Sequence, residues 1–295
     1  MKRLVIPTIL CVLLVVCIKP KRDNEYDPNN PNKVYLEGKV RGFDDLPVVN
    51  ARVVLASDES DTVEQFTNTE GWYGFEEVNP GVYTLIAQGA YYYFECYPES
   101  LAAGAEDTFD IYFSTAFWDF ENEPLGTQEP RGFQTRIGSW SIIDDPDQGH
   151  VYNGVTPGTG IAVAINDLML DDFYYESMFK VDPVSGPGFY TGLVFRFQDD
   201  LNYYLVFCSS SDMALIEVFS GGWHTIDVTT RPFALDTWYL LAVDCSGSRI
   251  QVYVDNATTP VFDVTHNTFL SGNVGLFAEH NTDVSFDDIY IDITE

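Results

Sequence analysis

The stretch Gly188 to Cys208, GFYTGLVFRFQDDLNYYLVFC, constrains the fold of this chain more than any other. In its first arm Leu193, Phe195 and Phe197 alternate with Val194, Arg196 and Gln198, the two-residue period of a strand, and Tyr190 falls on the side of Arg196. Asp199, Asp200 and Asn202 supply a turn, after which Tyr203, Leu205 and Phe207 alternate with Tyr204, Val206 and Cys208. This spells a half-buried β-hairpin.

The same signature recurs along the chain. From Val34 to Ser114, the segments VYLEGKV, ARVVLAS, GVYTLIA and DTFDIYF are separated by turn residues and lack a 3.6-residue period, which predicts a small all-β domain over 34–114. Within it Gly71 turns the chain and Tyr73 and Phe75 alternate into the core. Pro80-Gly81 is expected to close a tight hairpin before Tyr83, Leu85 and Ala87 return. From Thr115 to Glu295 ten segments read as strands: WSIID, GIAVAI, YYESMFKV, GLVFRFQ, YYLVFC, ALIEVFS, WYLLAVD, RIQVYVD, NVGLFAE and SFDDIYIDI. So many strands predict a two-sheet sandwich over 115–295.

The chain has 295 residues, 45% of them hydrophobic and 15% aromatic, enough for two domains with real cores. Forty-five acids against 15 bases give a net charge of −30. A nucleic acid or anionic membrane surface is repelled beyond the ~8 Å screening length of physiological salt, whereas cations and neutral ligands are not. The same acidity also serves plain solubility.

Lys2 and Arg3 precede an apolar run from Leu4 to Ile18 that is broken only by Pro7 and Thr8. The run falls short of the ~20 residues of a membrane span and matches the hydrophobic region of a secretory signal, so export is expected. LLVVC, Leu13 to Cys17, resembles the lipobox of bacterial lipoproteins, in which the cysteine is acylated; Val16 stands where a small residue is usual. The expectation is a signal over 1–16, a lipid anchor on Cys17 and a tether over 17–33, the other reading being an ordinary signal cleaved elsewhere. KPKRDNEYDPNNPNK carries three prolines and four asparagines without apolar periodicity, and resembles the spacer behind the acylated cysteine of Gram-negative lipoproteins. This resemblance implies an outer-membrane or cell-surface location. Cys96, Cys208 and Cys245 remain beyond Cys17; their odd number and wide spacing, without CxxC, leave at most one bridge, between Cys208 and Cys245, or buried free thiols.

Two further resemblances follow. TNTEGWYGFEEVNPGVYTLIAQG, with Thr67, Thr69, Glu70, Gly71, Tyr73, Phe75, Val78, Pro80, Gly81, Tyr83, Leu85 and Ala87 at the matching positions, resembles the carboxypeptidase regulatory-like, transthyretin-like sandwich. That implies a spacer or interaction module without an active site. FWDFENEPLG, GLVFRFQDDLNYYLV, TWYLLAVDCSGSRIQVYVDN and GNVGLFAEHNTDVSFDDIYID follow in order the concanavalin A-like jelly roll of laminin-G and keto-glycoside-hydrolase-like relatives. This fold carries lectins, adhesion modules, glycanases and spacers alike.

The motifs of catalysis are missing. Retaining glucanases on this scaffold need two carboxylates ~5 Å apart, of the form ExDxE, and that motif does not occur. His150, His224, His266 and His280 are dispersed, and neither HExxH nor GxSxG is present. An enzyme would have to assemble Glu176, Asp199, Glu217 or Glu279 through folding. In the resembled jelly rolls acids near the first and last strands often hold one structural calcium ion, for which Asp119, Glu121, Asp287 and Asp288 are the candidates, the bland reading being solvated charge. Sugar recognition needs flat aromatic faces beside hydrogen-bonding groups. If the pleat holds, Tyr190, Arg196, Gln198 and Tyr204 share one face, and Trp223 and His224 sit on a glycine-flanked turn. Arg196 then either contacts ligand or pairs with the many acids; in the first case Arg196→Ala weakens glycan binding with little loss of stability. Trp118, Trp140 and Trp238 are expected in the core. The reading is a lipid-anchored, non-catalytic protein that binds a polysaccharide or glycan through its second domain. A glycoside-active enzyme and a protein-binding adhesion module are the alternatives.

Overall fold

A computed structural model describes residues 33–42, 46–57, 62–89, 93–95 and 99–293. The signal, the tether, Cys17 and Cys96 lie outside the described residues. The chain divides into two compact units, the first drawn from residues up to Ile111 and the second from Tyr112 onward together with the short segments Arg41–Leu46 and Gln88–Phe94. Both are built of β-strands; among the described residues the other regular element is a short 3-10 turn, Pro183–Gly188.

In the first unit the strand Val34–Arg41 lies antiparallel to Trp72–Val78 and parallel to Glu106–Thr108. A second sheet holds Thr62–Phe66, Arg52–Ser57, Gly81–Gln88 and Glu99–Leu101 in that order of pairing. Tyr73, Phe75, Tyr83, Leu85 and Ala87 are buried as their alternation predicts. The turn between them is another matter. Trp72–Val78 and Gly81–Gln88 belong to different sheets, so Pro80-Gly81 forms an arch from one layer to the other and not the expected hairpin. The reason is that both strands direct their apolar sides at the same core, which strands of opposite layers do across a sandwich. Backbone passes backbone closely where Gly38 faces Phe109: a Cβ there would lie 1.8 Å from the Phe109 carbonyl oxygen. A cavity of about 30 Å³ among Leu36, Leu55, Tyr83, Leu85, Leu101 and Phe109 has room for about one water molecule.

The second unit is the expected jelly-roll sandwich of two sheets. One runs Ser139–Asp145, Gly149–Val155, Asp283–Asp292, Phe173–Val181, Tyr239–Ser246, Arg249–Val254 and Phe262–Thr265, with Thr115–Trp118 added beside Asp283–Asp292. The other runs Phe133–Ile137, Ile161–Leu170, Gly272–Glu279, Tyr190–Asp199, Asn202–Ser209, Asp212–Phe219 and Gly222–Thr230. The Tyr190–Asp199 and Asn202–Ser209 strands pair as the predicted hairpin. Phe133–Ile137, Gly149–Val155 and Gly222–Thr230 are strands that the sequence reading missed, since polar residues and glycines dilute their alternation. Trp118 and Trp140 are buried as expected. Trp238 is only partly covered and carries the Lys180 ammonium 5.1 Å above its ring. The acidic loop Asp144 to Gly149 hides one charge: Asp145 is buried and lies 2.5 Å from Lys180 Nζ.

Candidate functional site

The strand Tyr190–Asp199 sets the site, and its pleat does not hold. Arg196 adopts φ +48°, and the pairing with both neighbouring strands shifts register around it, against Asn202–Ser209 between Phe195 and Asp199 and against Gly272–Glu279 between Val194 and Phe197. This is a β-bulge, which inserts one residue and reverses the facing of all that follow. Phe197 thereby joins the face of Val194, and Arg196 turns into the protein. Its side chain is 0% exposed and donates to three backbone carbonyls: Nη1 to Phe269 at 3.1 Å, and Nη2 to Asp171 at 3.1 Å and Gly247 at 2.6 Å. Asp172 stands 3.9 Å away. Arg196 is therefore a structural clamp and offers nothing to a glycan, contrary to the ligand-contact reading.

Gln198 is consumed locally, its amide donating to the carbonyls of Ser271 and Arg196. Tyr204 is wholly buried on the face toward the other sheet. Its hydroxyl accepts from the Thr268 and Phe269 amides at 3.1 and 3.2 Å, so it donates to His266 Nδ1 at 2.8 Å. Trp223 and His224 lie inside the strand Gly222–Thr230, not on a turn, and their side chains point to opposite faces. His224 pairs across from Glu217, and Trp223 across from Val218. Of the six residues expected to bind sugar, Tyr204 and His224 share the face toward the other sheet, whereas Tyr190 and Trp223 lie on the opposite, outer face of this sheet.

That face is the outer side of the second sheet. Its apolar cluster includes Val163, Val194, Leu205, Ile216, Val218 and Phe277, all drawn from this one sheet. The indole of Trp223 lies 5.9 Å from the ring of Phe277, edge to face. Three strands separate theirs in the sheet order, and at ~4.8 Å per strand a flat sheet would hold their backbones roughly 19 Å apart. The sheet must curl, making this face concave and crowding its side chains until most are buried. Trp223 keeps 40% of its surface exposed. Tyr190, half-buried, stacks on Phe207 at 4.7 Å, and the His280 imidazole meets its edge at 5.1 Å.

Charged groups edge this floor. The Glu279 side chain is 16% exposed and lies 3.3 Å from His280 Nδ1; burial raises its pKa and His280 opposes the shift. Tyr203, on the same face, is pushed up to about 12 by burial and then by the charges of Glu279 and Asp200. Arg136 lies over the Phe197 ring at 6.0 Å with its Nε 3.2 Å from Asp200. The four acids considered for catalysis are dispersed. Glu176 accepts from the Tyr174 hydroxyl on the other sheet, and Asp199 caps the hairpin turn by accepting from the Leu201 amide at 2.8 Å. Glu217 lies 3.8 Å from His266 on the inner face, whereas Glu279 faces outward.

Of the four acids expected to hold calcium, Asp288, Asp119 and Glu121 lie near enough to Asp287 for their charges to act on it. Asp287 is 3% exposed and its Oδ1 has no hydrogen-bond partner. Burial, together with the charges of Asp288, Asp119 and Glu121, pushes its carboxyl up to about 8. Asp288 occupies a second bulge, with φ +46°, where the pairing with Phe173–Val181 shifts. Asp119 accepts from the Glu121 amide, and Glu121 from the His150 amide, both at 3.3 Å. Among the described residues no group of three or more His, Cys, Asp or Glu is arranged as a metal shell. Cys208 and Cys245 are buried free thiols.

The sequence matches no protein-family model and no curated protein. Solved structures of similar fold include the carbohydrate binding module CBM66 from Bacillus subtilis, 22% identical over 55% of this chain and 95% of that one, with a TM-score of 0.48. A Bacillus subtilis protein of unknown function with a galectin-like fold is 11% identical over 58% of this chain and 95% of that one, TM-score 0.45. The carbohydrate recognition domain of Emp47p is 12% identical over 62% of this chain and 96% of that one, TM-score 0.46.

Proposed function

We propose that the protein is a non-catalytic carbohydrate-binding lipoprotein of a Gram-negative envelope, anchored through Cys17, with the first unit as a carboxypeptidase regulatory-like spacer and the laminin-G-like second unit as the binding module. The observation that carries the reading is the exposed indole of Trp223, set against Phe277 on the same concave sheet face as the Tyr190–Phe207 stack. Aromatic faces accept the C–H face of a pyranose, and Glu279 and His280 at the rim supply hydrogen-bonding groups for its hydroxyls. The test is retention of the protein on a panel of plant and microbial polysaccharides, with released sugars assayed in the same tubes. Retention on one polymer that Trp223→Ala abolishes supports the reading; sugar release would favour the enzyme alternative, and retention unaffected by Trp223→Ala would move the site elsewhere.

A structural calcium ion at Asp119, Glu121, Asp287 and Asp288 is a second part of the proposal, favoured by the orphaned oxygen of Asp287. A buried carboxylate without a partner is costly, and a hard cation is the group that oxygen donors satisfy best. Calcium is expected to raise the melting temperature and chelator to lower it, with Asp287→Asn removing the response. A melt indifferent to both would dispose of the ion.

A further inference from the structure

Between Thr115 and Glu295 there are 27 aspartates and glutamates but only six lysines and arginines. Five of those six are already engaged: Arg136 with Asp200, Lys180 with Asp145, Arg196 with Asp172, Arg231 with Asp255 and Arg249 with Asp263. Among the described residues, the guanidinium that lies over a ring of the concave face is that of Arg136, and Asp200 holds it over Phe197. The same face carries Glu279, paired across from Tyr190, whose side chain is 16% exposed and whose neighbouring imidazole is His280. An anionic ligand on these rings would find no uncommitted cation there and would lie in the field of two carboxylates.

We propose, resting on the glycan-binding reading above, that the concave face selects neutral sugar chains and rejects those carrying carboxylates. The aromatic floor reads the apolar face of a sugar ring, which neutral and acidic sugars share. Discrimination between them therefore comes from the rim, where like charge opposes the uronate before any contact forms. Because part of the rim is open to solvent, salt weakens the effect, the screening length shrinking from ~8 Å at physiological ionic strength to ~3 Å at 1 M.

The experiment uses the full chain and soluble polymers in matched pairs: hydroxyethyl-cellulose with carboxymethyl-cellulose, dextran with carboxymethyl-dextran, and methyl-esterified pectin with polygalacturonate. Dissociation constants are read from quenching of tryptophan fluorescence, with Trp223→Ala as the site control. In any pair that binds, the neutral member is expected to bind at least about tenfold more tightly, with the gap narrowing in Glu279→Gln and again in 1 M salt. Equal binding of both members, or preference for the acidic one, with Trp223→Ala still abolishing it, overturns the selection while leaving the glycan site in place. A tenfold gap unmoved by Glu279→Gln and by salt overturns the electrostatic cause. No binding of any polymer overturns the glycan reading and the selection with it.

Discussion

Arg196 decides between two pictures of the second unit, and replacing it separates them. Arg196→Met keeps the apolar stem and deletes a guanidinium whose Nη1 and Nη2 donate to the carbonyls of Phe269, Asp171 and Gly247. Those carbonyls belong to three separate chain segments, so the side chain ties together parts of the fold that are distant in sequence. A hydrogen bond from a charged donor contributes ~1.5–3 kcal/mol net, and three on one group are not additive. Asp172, 43% exposed, stays solvated when the guanidinium is lost, so the loss comes from the three carbonyls left without their donor at ~1–3 kcal/mol each, and about 4 kcal/mol in all is expected. For a unit of this size each kcal/mol moves the midpoint by ~2–4 °C, which places the drop at about 8–16 °C. Calorimetry of the full chain, which can resolve the second unit's transition, is the assay. Arg196→Lys should fall between, because an ammonium keeps the charge but not the fork that reaches three acceptors. A midpoint within ~2 °C of the parent, together with lost glycan binding, would refute the clamp and return Arg196 to the binding surface.

Two further changes test the same core. Lys180→Met strands the buried Asp145 carboxylate and is expected to cost ~3–5 kcal/mol, while the double change with Asp145→Asn should recover much of it; additive losses in urea unfolding would show that the pair is not coupled. Burial pushes Cys208 above the ordinary thiol range and Cys245 up to about 12, so neither thiol should react with iodoacetamide at pH 8 until the protein unfolds. Since the unfolded thiols ionise near 9.0 and the folded ones later, their share of stability is complete below pH 9 and fades as pH rises through about 12; stability that climbs with pH across that window would contradict the burial.

The local pattern of residues determined the strands themselves. Alternation at a period of two is written within each segment, and burial of Tyr73, Phe75, Tyr83, Leu85 and Ala87 follows from it with no knowledge of partners, whereas the hairpin expected to be half-buried is covered on both faces, Leu205 and Val206 alike. The all-β class, the two-sheet architecture and the hairpin at Asp199–Asn202 were legible for that reason. What each segment could not encode is its relation to segments far away. A single left-handed residue at Arg196 reverses the facing of Phe197, and whether it forms depends on Gly272 of a neighbouring strand, where a Cβ would lie 2.5 Å from the Arg196 carbonyl carbon. The arch at Pro80-Gly81 depends on which layer each strand joins. Curling of the second sheet brings Trp223 to Phe277, and strand pairing at the chain's end brings Asp119 and Glu121 into the field of Asp287. Faces follow from nearest neighbours, but sites follow from sheet order, bulges and curvature, which are settled only when distant strands pair.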